Sequence, residues 1–332
     1  MKLSTSGKGV NLGGWFIPEK WMTPQLFEGL NVTDFDGLLH SSEGLERYTE
    51  HVQEFIRESD LEELANNSVQ LIRVPIAWWM IADVHAEVAI ICIEQLDWLF
   101  RMAEKYNLRI LLDYHAARGS QNGKDHSGKV GVVEWKKYKD ENLGYMTDIT
   151  RRYANSPSLW GIEPLNEPAV KGNFWTLFQY YRSAKKQLRN IVSPSVHVVI
   201  HDGFIPILFT NIIPWRSNIV LDMHLYEIPV NKGESVHGYF DRRDSLYARR
   251  IQFYKNFQPI IIGEWSGVVP EKLLKGLSSE KKEEVIRENI ERQLKLYKLA
   301  NAWMFWSLKS ADQSMWNFQS HLEYNETSDA IT

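Results

Sequence analysis

Ile260-Ile261-Ile262-Gly263-Glu264-Trp265 and Ile162-Glu163-Pro164-Leu165-Asn166-Glu167-Pro168 each carry a largely apolar strand pattern into a glutamate. Strands buried on both faces have nearly continuous apolar runs, which is typical of parallel sheets covered by helices. In α/β barrels the functional side chains lie where such strands end. We therefore interpret both segments as barrel strands and Glu167 and Glu264 as candidate functional residues. The alternative is that each glutamate only caps a helix or forms a salt bridge.

The same pattern repeats along the chain, where an extended apolar segment alternates with an amphipathic one. The predicted strands are residues 8–13, 69–76, 109–115, 159–165, 196–202, 219–226, 259–265 and 302–308. Apolar residues at every third or fourth position predict helices over residues 61–65, 88–106, 135–153, 174–190 and 281–299. Eight alternations predict an α/β fold of the (β/α)8, or TIM barrel, type.

The chain contains 332 residues and no proline-, glycine- or serine-rich segment long enough to separate two domains. Barrels of this kind commonly reach such a length as one domain. We therefore predict a single catalytic domain over residues 1–332. A doubly wound sheet is the alternative, but its glycine fingerprint does not fit Gly9-Val10-Asn11-Leu12-Gly13-Gly14.

Charge and composition exclude several classes of partner. A net charge of −4 without a basic face argues against nucleic acid. Residues 1–7 lack the apolar core of a signal peptide, and no long apolar run occurs, so the sequence predicts a cytoplasmic protein without a membrane span. The single cysteine, Cys92, lies among isoleucines, which predicts a buried helix thiol. Nothing in the sequence indicates an oligomeric state.

Polar and aromatic residues stand at the ends of several predicted strands. They are Arg73, His115, Asn166, Glu167, His224, Tyr226, Glu264 and Trp306. Because barrel strands end at one mouth, we expect these side chains to converge. Two carboxylates suit glycosidic bond cleavage, in which one protonates the leaving oxygen while the other attacks or supports the anomeric carbon. Histidine spacing and the lack of a cysteine cluster lead us to expect no metal and no other cofactor.

The chain is similar to glycoside hydrolase family 5, and within it to the exo-β-1,3-glucanase group known from fungi. The motifs that carry the resemblance are Gly9-Val10-Asn11-Leu12-Gly13-Gly14-Trp15, Thr23-Pro24-Gln25-Leu26-Phe27-Glu28, Arg73-Val74-Pro75-Ile76, Gly119-Ser120-Gln121-Asn122-Gly123, Leu165-Asn166-Glu167-Pro168, Ile200-His201-Asp202, Gly263-Glu264-Trp265-Ser266 and Phe305-Trp306-Ser307. The resemblance implies that Glu167 is the acid/base and Glu264 the nucleophile. It also implies substrate-binding roles for Arg73, His115, Asn166, His224, Tyr226 and Trp306.

Two further positions, Glu19 and Asp125, match residues with which the fungal enzymes hold the glucose at the non-reducing end. The chain departs from the fungal pattern at Gly123-Lys124-Asp125-His126, where those enzymes typically read Gly-Phe-Asp-Asn. Lys124 thus replaces an aromatic residue at the pocket entrance. We therefore expect a small β-glucoside or gluco-oligosaccharide as substrate, with a leaving group that need not be a glucan chain.

The resemblance implies a retaining double displacement, in which the two carboxyl groups lie about 5 to 5.5 Å apart. Glu167 must begin protonated, and we expect the Glu264 anion to raise the pKa of Glu167. Two alternatives stay open. One is an endo-acting β-1,4-glucanase with the same chemistry, and the other is a carbohydrate-binding barrel without catalytic activity.

Overall fold

Eight parallel strands close into a barrel in chain order, and the last strand is hydrogen bonded to the first. The strands are β1 Gly7–Asn11, β2 Leu71–Ala77, β3 Arg109–Ala116, β4 Leu159–Glu163, β5 His197–His201, β6 Ile219–His224, β7 Ile260–Trp265 and β8 Ala302–Phe305. This computed structural model describes residues 7–82, 86–210, 219–311 and 315–321. The predicted (β/α)8 barrel is confirmed.

Helices connect successive strands and cover the outer face of the barrel. They are α1 Phe35–Leu39, α2 Ser42–Glu54, α3 Glu58–Asn66, α4 Ala86–Lys105, α5 Lys139–Tyr153, α6 Phe174–Ile191, α7 Pro206–Thr210, α8 Val236–Lys255, α9 Glu271–Leu274 and α10 Ser279–Tyr297. The predicted helix over 61–65 is the centre of α3. The predicted helix over 135–153 begins as a 3-10 turn, Trp135–Tyr138, and becomes α-helical only at α5.

Five strands, β1, β4, β5, β6 and β8, end earlier than the sequence predicts, and the ends of β4 and β8 place site residues in loops. β4 ends at Glu163, because Pro164 lacks the amide hydrogen that a further ladder bond would need. Glu167 consequently lies in the loop after β4, where strand pairing does not constrain its backbone. β8 ends at Phe305, so that Trp306 begins the loop that follows.

The barrel interior changes from apolar to charged along the strands. An inner cluster, separate from the core beneath the helices, consists of Leu71, Leu111, Trp160, Val199, Val220, Ile261, Ala302 and Met304. Residues two positions apart on a strand face the same side of the sheet. Two positions further along β2, β3 and β6 stand Arg73, Asp113 and Asp222, all fully buried. The strands therefore place charged groups directly above the apolar floor, toward the mouth of the barrel.

Cys92 lies on α4 with its side chain buried, as predicted. The Tyr48 hydroxyl lies 3.4 Å from its Sγ. Burial raises the pKa of the thiol to about 12, so Cys92 stays protonated at neutral pH and acts as a small apolar side chain.

In the part of the chain that the structure describes, no helix has both the length and the apolar character needed to cross a membrane. The argument against a signal peptide depends on residues 1–7, of which residues 1–6 lie outside the described residues.

Candidate active site

Segments at the carboxyl ends of the strands surround a pocket of about 340 Å³. Its lining residues are Glu19, Trp21, His115, Lys124, Asp125, His126, Glu167, Phe204, Tyr226, Glu264, Trp306 and Trp316. They come from widely separated parts of the chain, so only the closed barrel brings them together. Titratable groups lie at the base of the pocket and tryptophans lie around it, which is an arrangement suited to a polar ligand with flat apolar faces.

Glu264 stands near the end of β7 with both carboxylate oxygens hydrogen bonded. Its Oε1 accepts from Arg73 Nη1 at 2.8 Å, and its Oε2 accepts from the Tyr226 hydroxyl at 2.8 Å. Charge-assisted bonds of this kind fix the orientation of a carboxylate and stabilise its negative charge. Glu264 therefore reaches the pocket as an oriented anion.

Arg73 lies at the centre of a buried group of acids. Its guanidinium lies 3.0 Å from Glu163, 3.1 Å from Asp113 and 3.8 Å from Asp222, in addition to its bond to Glu264. Burial outweighs the attraction of Arg73 and raises the pKa of Asp113 to about 7 and that of Glu163 well above its ordinary value. Protonation of these two acids thus removes part of the excess negative charge around the guanidinium.

The backbone at Glu167 has a φ of 39°, in the left-handed region that residues other than glycine rarely adopt. The loop after β3 holds it in this conformation. Asn122 Nδ2 donates to the carbonyl oxygen of Glu167 at 3.0 Å, and Gln121 Nε2 donates to that of Asn166 at 3.0 Å. The strain is therefore balanced by hydrogen bonds that fix where the carboxyl group points.

The carboxyl group of Glu167 lies between two imidazole rings. Its Oε1 is 2.7 Å from His224 Nδ1, and its Oε2 is 3.3 Å from His126 Nε2. Lys124 Nζ is 3.7 Å from the same Oε2. His224 Nδ1 also lies 3.3 Å from Glu264 Oε2, so one ring nitrogen is shared by both candidate catalytic glutamates.

The expectation of a raised pKa for Glu167 is wrong in this structure. Burial alone would raise it, but hydrogen bonds and charge from His126 and His224 hold the pKa of Glu167 well below its ordinary value. The pKa of His224 is in turn raised well above its usual range, because the carboxylates of Glu264 and Asp222 outweigh the effect of burial. The prediction considered only the repulsion from Glu264, since the sequence does not place the two rings beside Glu167.

His115 and His224 are each preceded, two residues earlier on the strand, by an aspartate. His115 Nδ1 lies 2.5 Å from Asp113 Oδ2, and His224 Nε2 lies 3.5 Å from Asp222 Oδ2. The His115 ring is also stacked on Trp306, with ring centroids 5.3 Å apart. A spacing of two residues places both side chains on the same face of a strand, and this spacing is visible in the sequence.

Glu19 and Asp125 lie together on one side of the pocket, beside His126. Trp21 Nε1 donates to Glu19 Oε2 at 2.9 Å. Burial raises the pKa of Glu19 to about 8, so this carboxyl group is mostly protonated at neutral pH. It is therefore able both to donate and to accept a hydrogen bond from a sugar hydroxyl.

The structure brings all ten candidate residues to the mouth of the barrel but at two depths. Arg73 and Asn166 are fully buried beneath the pocket, where Asn166 Oδ1 accepts from Arg73 Nη2 at 2.9 Å. Sequence reasoning assigned no site role to six residues described here, namely Trp21, Asp113, His126, Phe204, Asp222 and Trp316. Of these, Asp113 and Asp222 have a recognisable signal, which is their spacing of two from a histidine.

Three groups of side chains have potential metal-ligand atoms within 4.8 Å of one another among the described residues. They are Glu167, His201 and His224; Glu19, Asp125 and His126; and Glu163, Asp222 and His224. Glu167 and His224 are hydrogen bonded directly. In the third group, His224 Nε2 lies 3.5 Å from Asp222 Oδ2.

Gly263 gives Asp222 the room it needs. A Cβ at this position would lie 1.9 Å from Asp222 Oδ2, whose other oxygen accepts from the Gly263 amide at 2.6 Å. We expect Gly263→Ala to lower the free energy of unfolding by about 1–3 kcal/mol, because the added methyl group overpacks the barrel interior. Urea unfolding followed by circular dichroism measures this.

Gly144→Ala is the matched control, since nothing lies within 4 Å of a Cβ at Gly144 on α5. That change is expected to stabilise the protein by about 0.5–1 kcal/mol, through helix propensity. If Gly263→Ala unfolds at the wild-type midpoint, Asp222 is not confined as described.

A family model described as cellulase (glycosyl hydrolase family 5) matches residues 33–312. Among curated relatives, probable glucan 1,3-beta-glucosidase A of Emericella nidulans is 30% identical, over 96% of this chain and 89% of its own length. Glucan 1,3-beta-glucosidase 1 of Schizosaccharomyces pombe is 27% identical, over 96% of this chain and 86% of its own. A rutinosidase from Aspergillus niger superposes with a TM-score of 0.80 at 18% identity, over 97% of this chain and 98% of that one. This last likeness concerns the fold.

Proposed function

The chain belongs to glycosyl hydrolase family 5, and on that premise we propose that it is a retaining β-glycosidase that releases glucose from the non-reducing end of short substrates. These substrates are β-glucosides or β-1,3-gluco-oligosaccharides. The names of the relatives, which are glucan 1,3-beta-glucosidases, support the linkage and the exo mode of attack.

The main support for the proposal is that His224 Nδ1 lies close to the carboxyl groups of both Glu167 and Glu264. His224 Nδ1 lies 2.7 Å from Glu167 Oε1 and 3.3 Å from Glu264 Oε2. These two carboxylate oxygens are therefore at most 6.0 Å apart. Inverting enzymes need about 6.5–9.5 Å between their carboxyl groups to admit a water molecule. The closer spacing favours direct attack by a carboxylate and hence retention of the anomeric configuration.

Glu264 is the proposed nucleophile, because Arg73 and Tyr226 orient it and stabilise its charge. It forms a bond to the anomeric carbon as the bond to the glycosidic oxygen breaks, and that oxygen takes a proton from Glu167. In the second step Glu167 takes a proton from water, whose oxygen displaces Glu264. Glucose leaves with the β configuration.

Aromatic side chains and Glu19 wall the pocket, so that it accepts only the end of a glucan chain. Trp21 and Trp316 meet edge to face, with ring centroids 4.9 Å apart. Phe204, with about half of its side chain exposed, lies below the Lys124 ammonium group at 5.8 Å. These walls suit one glucose ring, and Lys124 leaves the entrance open to varied leaving groups.

A proton NMR time course with laminaritetraose tests the function. We expect β-glucose and laminaritriose as the first products, because a retaining exo-enzyme removes one terminal glucose with its configuration kept. The α anomer should appear only later, through mutarotation. Glu264→Gln is the negative control for background hydrolysis.

Other outcomes correspond to the alternatives. First-formed α-glucose would contradict retention, and laminaribiose as the first product would contradict exo attack. A rapid fall in the viscosity of a soluble β-glucan at low reducing-end yield would identify an endoglucanase. Binding of the tetrasaccharide without any product would identify a carbohydrate-binding barrel.

A further inference from the structure

His126 lies against the acid/base candidate from a loop that departs from the fungal pattern. It belongs to the 3-10 turn Asp125–Ser127 in the connection after β3. Its Nε2 is 3.3 Å from Glu167 Oε2, and 15% of its side chain is exposed. Its ring meets that of His115 edge to face at 5.4 Å. The asparagine typical of the fungal enzymes at this position does not titrate.

The neutral and charged forms of His126 have different hydrogen-bond partners. Asn122 is fixed in orientation, since its Oδ1 accepts from the Lys124 amide at 3.0 Å and its Nδ2 donates to the carbonyl oxygen of Glu167 at 3.0 Å. The second hydrogen of Nδ2 is directed at His126 Nε2, 2.8 Å away. A neutral ring accepts this hydrogen, whereas a ring protonated at Nε2 donates to Glu167 Oε2 instead.

Charged and titratable groups face His126 from several elements. They are Glu167 after β4, Glu19 after β1, Glu264 on β7, His115 on β3, and Lys124 and Asp125 in its own loop, with His224 on the far side of Glu167. Burial lowers the pKa of His126, but the hydrogen bond and charge of Glu167, with the charge of Glu264, raise it to about 8. The surrounding carboxylates therefore favour the protonated ring.

We propose that His126 is a positioning residue that shares one proton with Glu167, so that the acid of the reaction is the Glu167–His126 pair. The inference rests on the proposed role of Glu167. In the free site one proton is shared: on His126 Nε2 it is donated to Glu167 Oε2, and on Oε2 it leaves Nε2 to accept from Asn122 Nδ2. It passes to Glu167 Oε2 and then to the glycosidic oxygen, as the bond from that oxygen to the anomeric carbon breaks. The neutral ring then accepts the Asn122 amide, and the proton that Glu167 later takes from water restores the pair.

The test is the pH dependence of kcat/KM for His126→Gln, which keeps a donor but does not titrate. With a phenyl β-glucoside, whose leaving group needs protonation, we expect the alkaline limb to move toward acid by at least about one pH unit. Activity on that limb then falls about tenfold. With 2,4-dinitrophenyl β-glucoside, whose leaving group needs no proton, wild type and variant should share one limb.

Lys124→Gln is the matched control, because it removes a cation beside the same Oε2. Loss of a neighbouring cation makes a carboxylic acid hold its proton more tightly, so the alkaline limb should stay or move toward base. His126→Asn, the fungal residue, should shift the limb as His126→Gln does. A uniform loss of activity with the phenyl glucoside and an unmoved limb would overturn the proposal.

A direct titration covers the case in which the His126 variants fold poorly. NMR of histidine-labelled wild type should give His126 an apparent pKa of about 8, lowered by Glu167→Gln. An equal value in both proteins would overturn the sharing of a proton. Failure of the role of Glu167 itself has another signature, which is the lack of azide rescue in Glu167→Ala.

Discussion

Glu264→Gln is expected to lower kcat by about 10⁴-fold or more for every glycoside, because the amide is a far weaker nucleophile and no glycosyl-enzyme forms. The loss should be as large for 2,4-dinitrophenyl β-glucoside as for an alkyl glucoside, since both need the same attack. Initial rates measured with both substrates test this. A 2-deoxy-2-fluoroglucoside should label the wild-type enzyme at Glu264, as read by peptide mass spectrometry.

Glu227→Gln makes the same chemical change at an exposed glutamate close in sequence to Tyr226 and should leave kcat within about twofold. Circular dichroism checks that both variants are folded. A fluoroglucosyl label on another residue, or substantial activity left in Glu264→Gln, would remove Glu264 from the mechanism.

Glu167→Ala should separate substrates by their leaving groups. With an alkyl or phenyl glucoside we expect kcat/KM to fall about 10²- to 10⁴-fold, because the departing oxygen has no proton donor. With 2,4-dinitrophenyl β-glucoside the first step should survive, and the glycosyl-enzyme should accumulate because no base activates water. Azide, which needs no base, should then restore turnover and yield β-glucosyl azide.

Formation of β-glucosyl azide distinguishes loss of the acid/base from general damage to the site. A folded Glu167→Ala protein that azide does not accelerate would contradict the acid/base assignment. Arg73→Lys is a useful comparison, because it disturbs Glu264 through its hydrogen bond and should not be rescued by azide.

Sequence patterns were sufficient to predict the architecture, because the apolar pattern of each strand shows that both of its faces are buried. The run that ends at Glu264 has no polar residue before the glycine, as a strand covered on both faces requires, and it is β7 in the structure. The same reasoning placed Glu167 near the end of β4. It missed the end of the strand itself, since only the role of Pro164 in the ladder decides where pairing stops.

The immediate surroundings of Glu167 were not predictable in the same way. Lys124 and His126 approach it from a loop more than forty residues earlier in the chain. The periodicity of apolar residues predicts helices and strands but not the conformation of a loop. The pKa of Glu167 was wrongly predicted because the positions of these loop side chains could not be foreseen. Asp113 and Asp222 are a different case, because their spacing of two from a histidine is visible in the sequence.

The hydrogen bonds of Asn11 have a consequence for the synthesis of the chain. Asn11 on β1 donates to the carbonyl oxygens of Gly263 and Phe305 and accepts from Arg73, and β1 pairs with β8, about 300 residues later. On the ribosome the first strand emerges early but waits for the last before it gains its second neighbour. A nascent chain that already displays both glutamates therefore lacks the strand that closes the barrel beside Asn11. We therefore expect catalytic activity only after β8 has left the exit tunnel and closed the barrel.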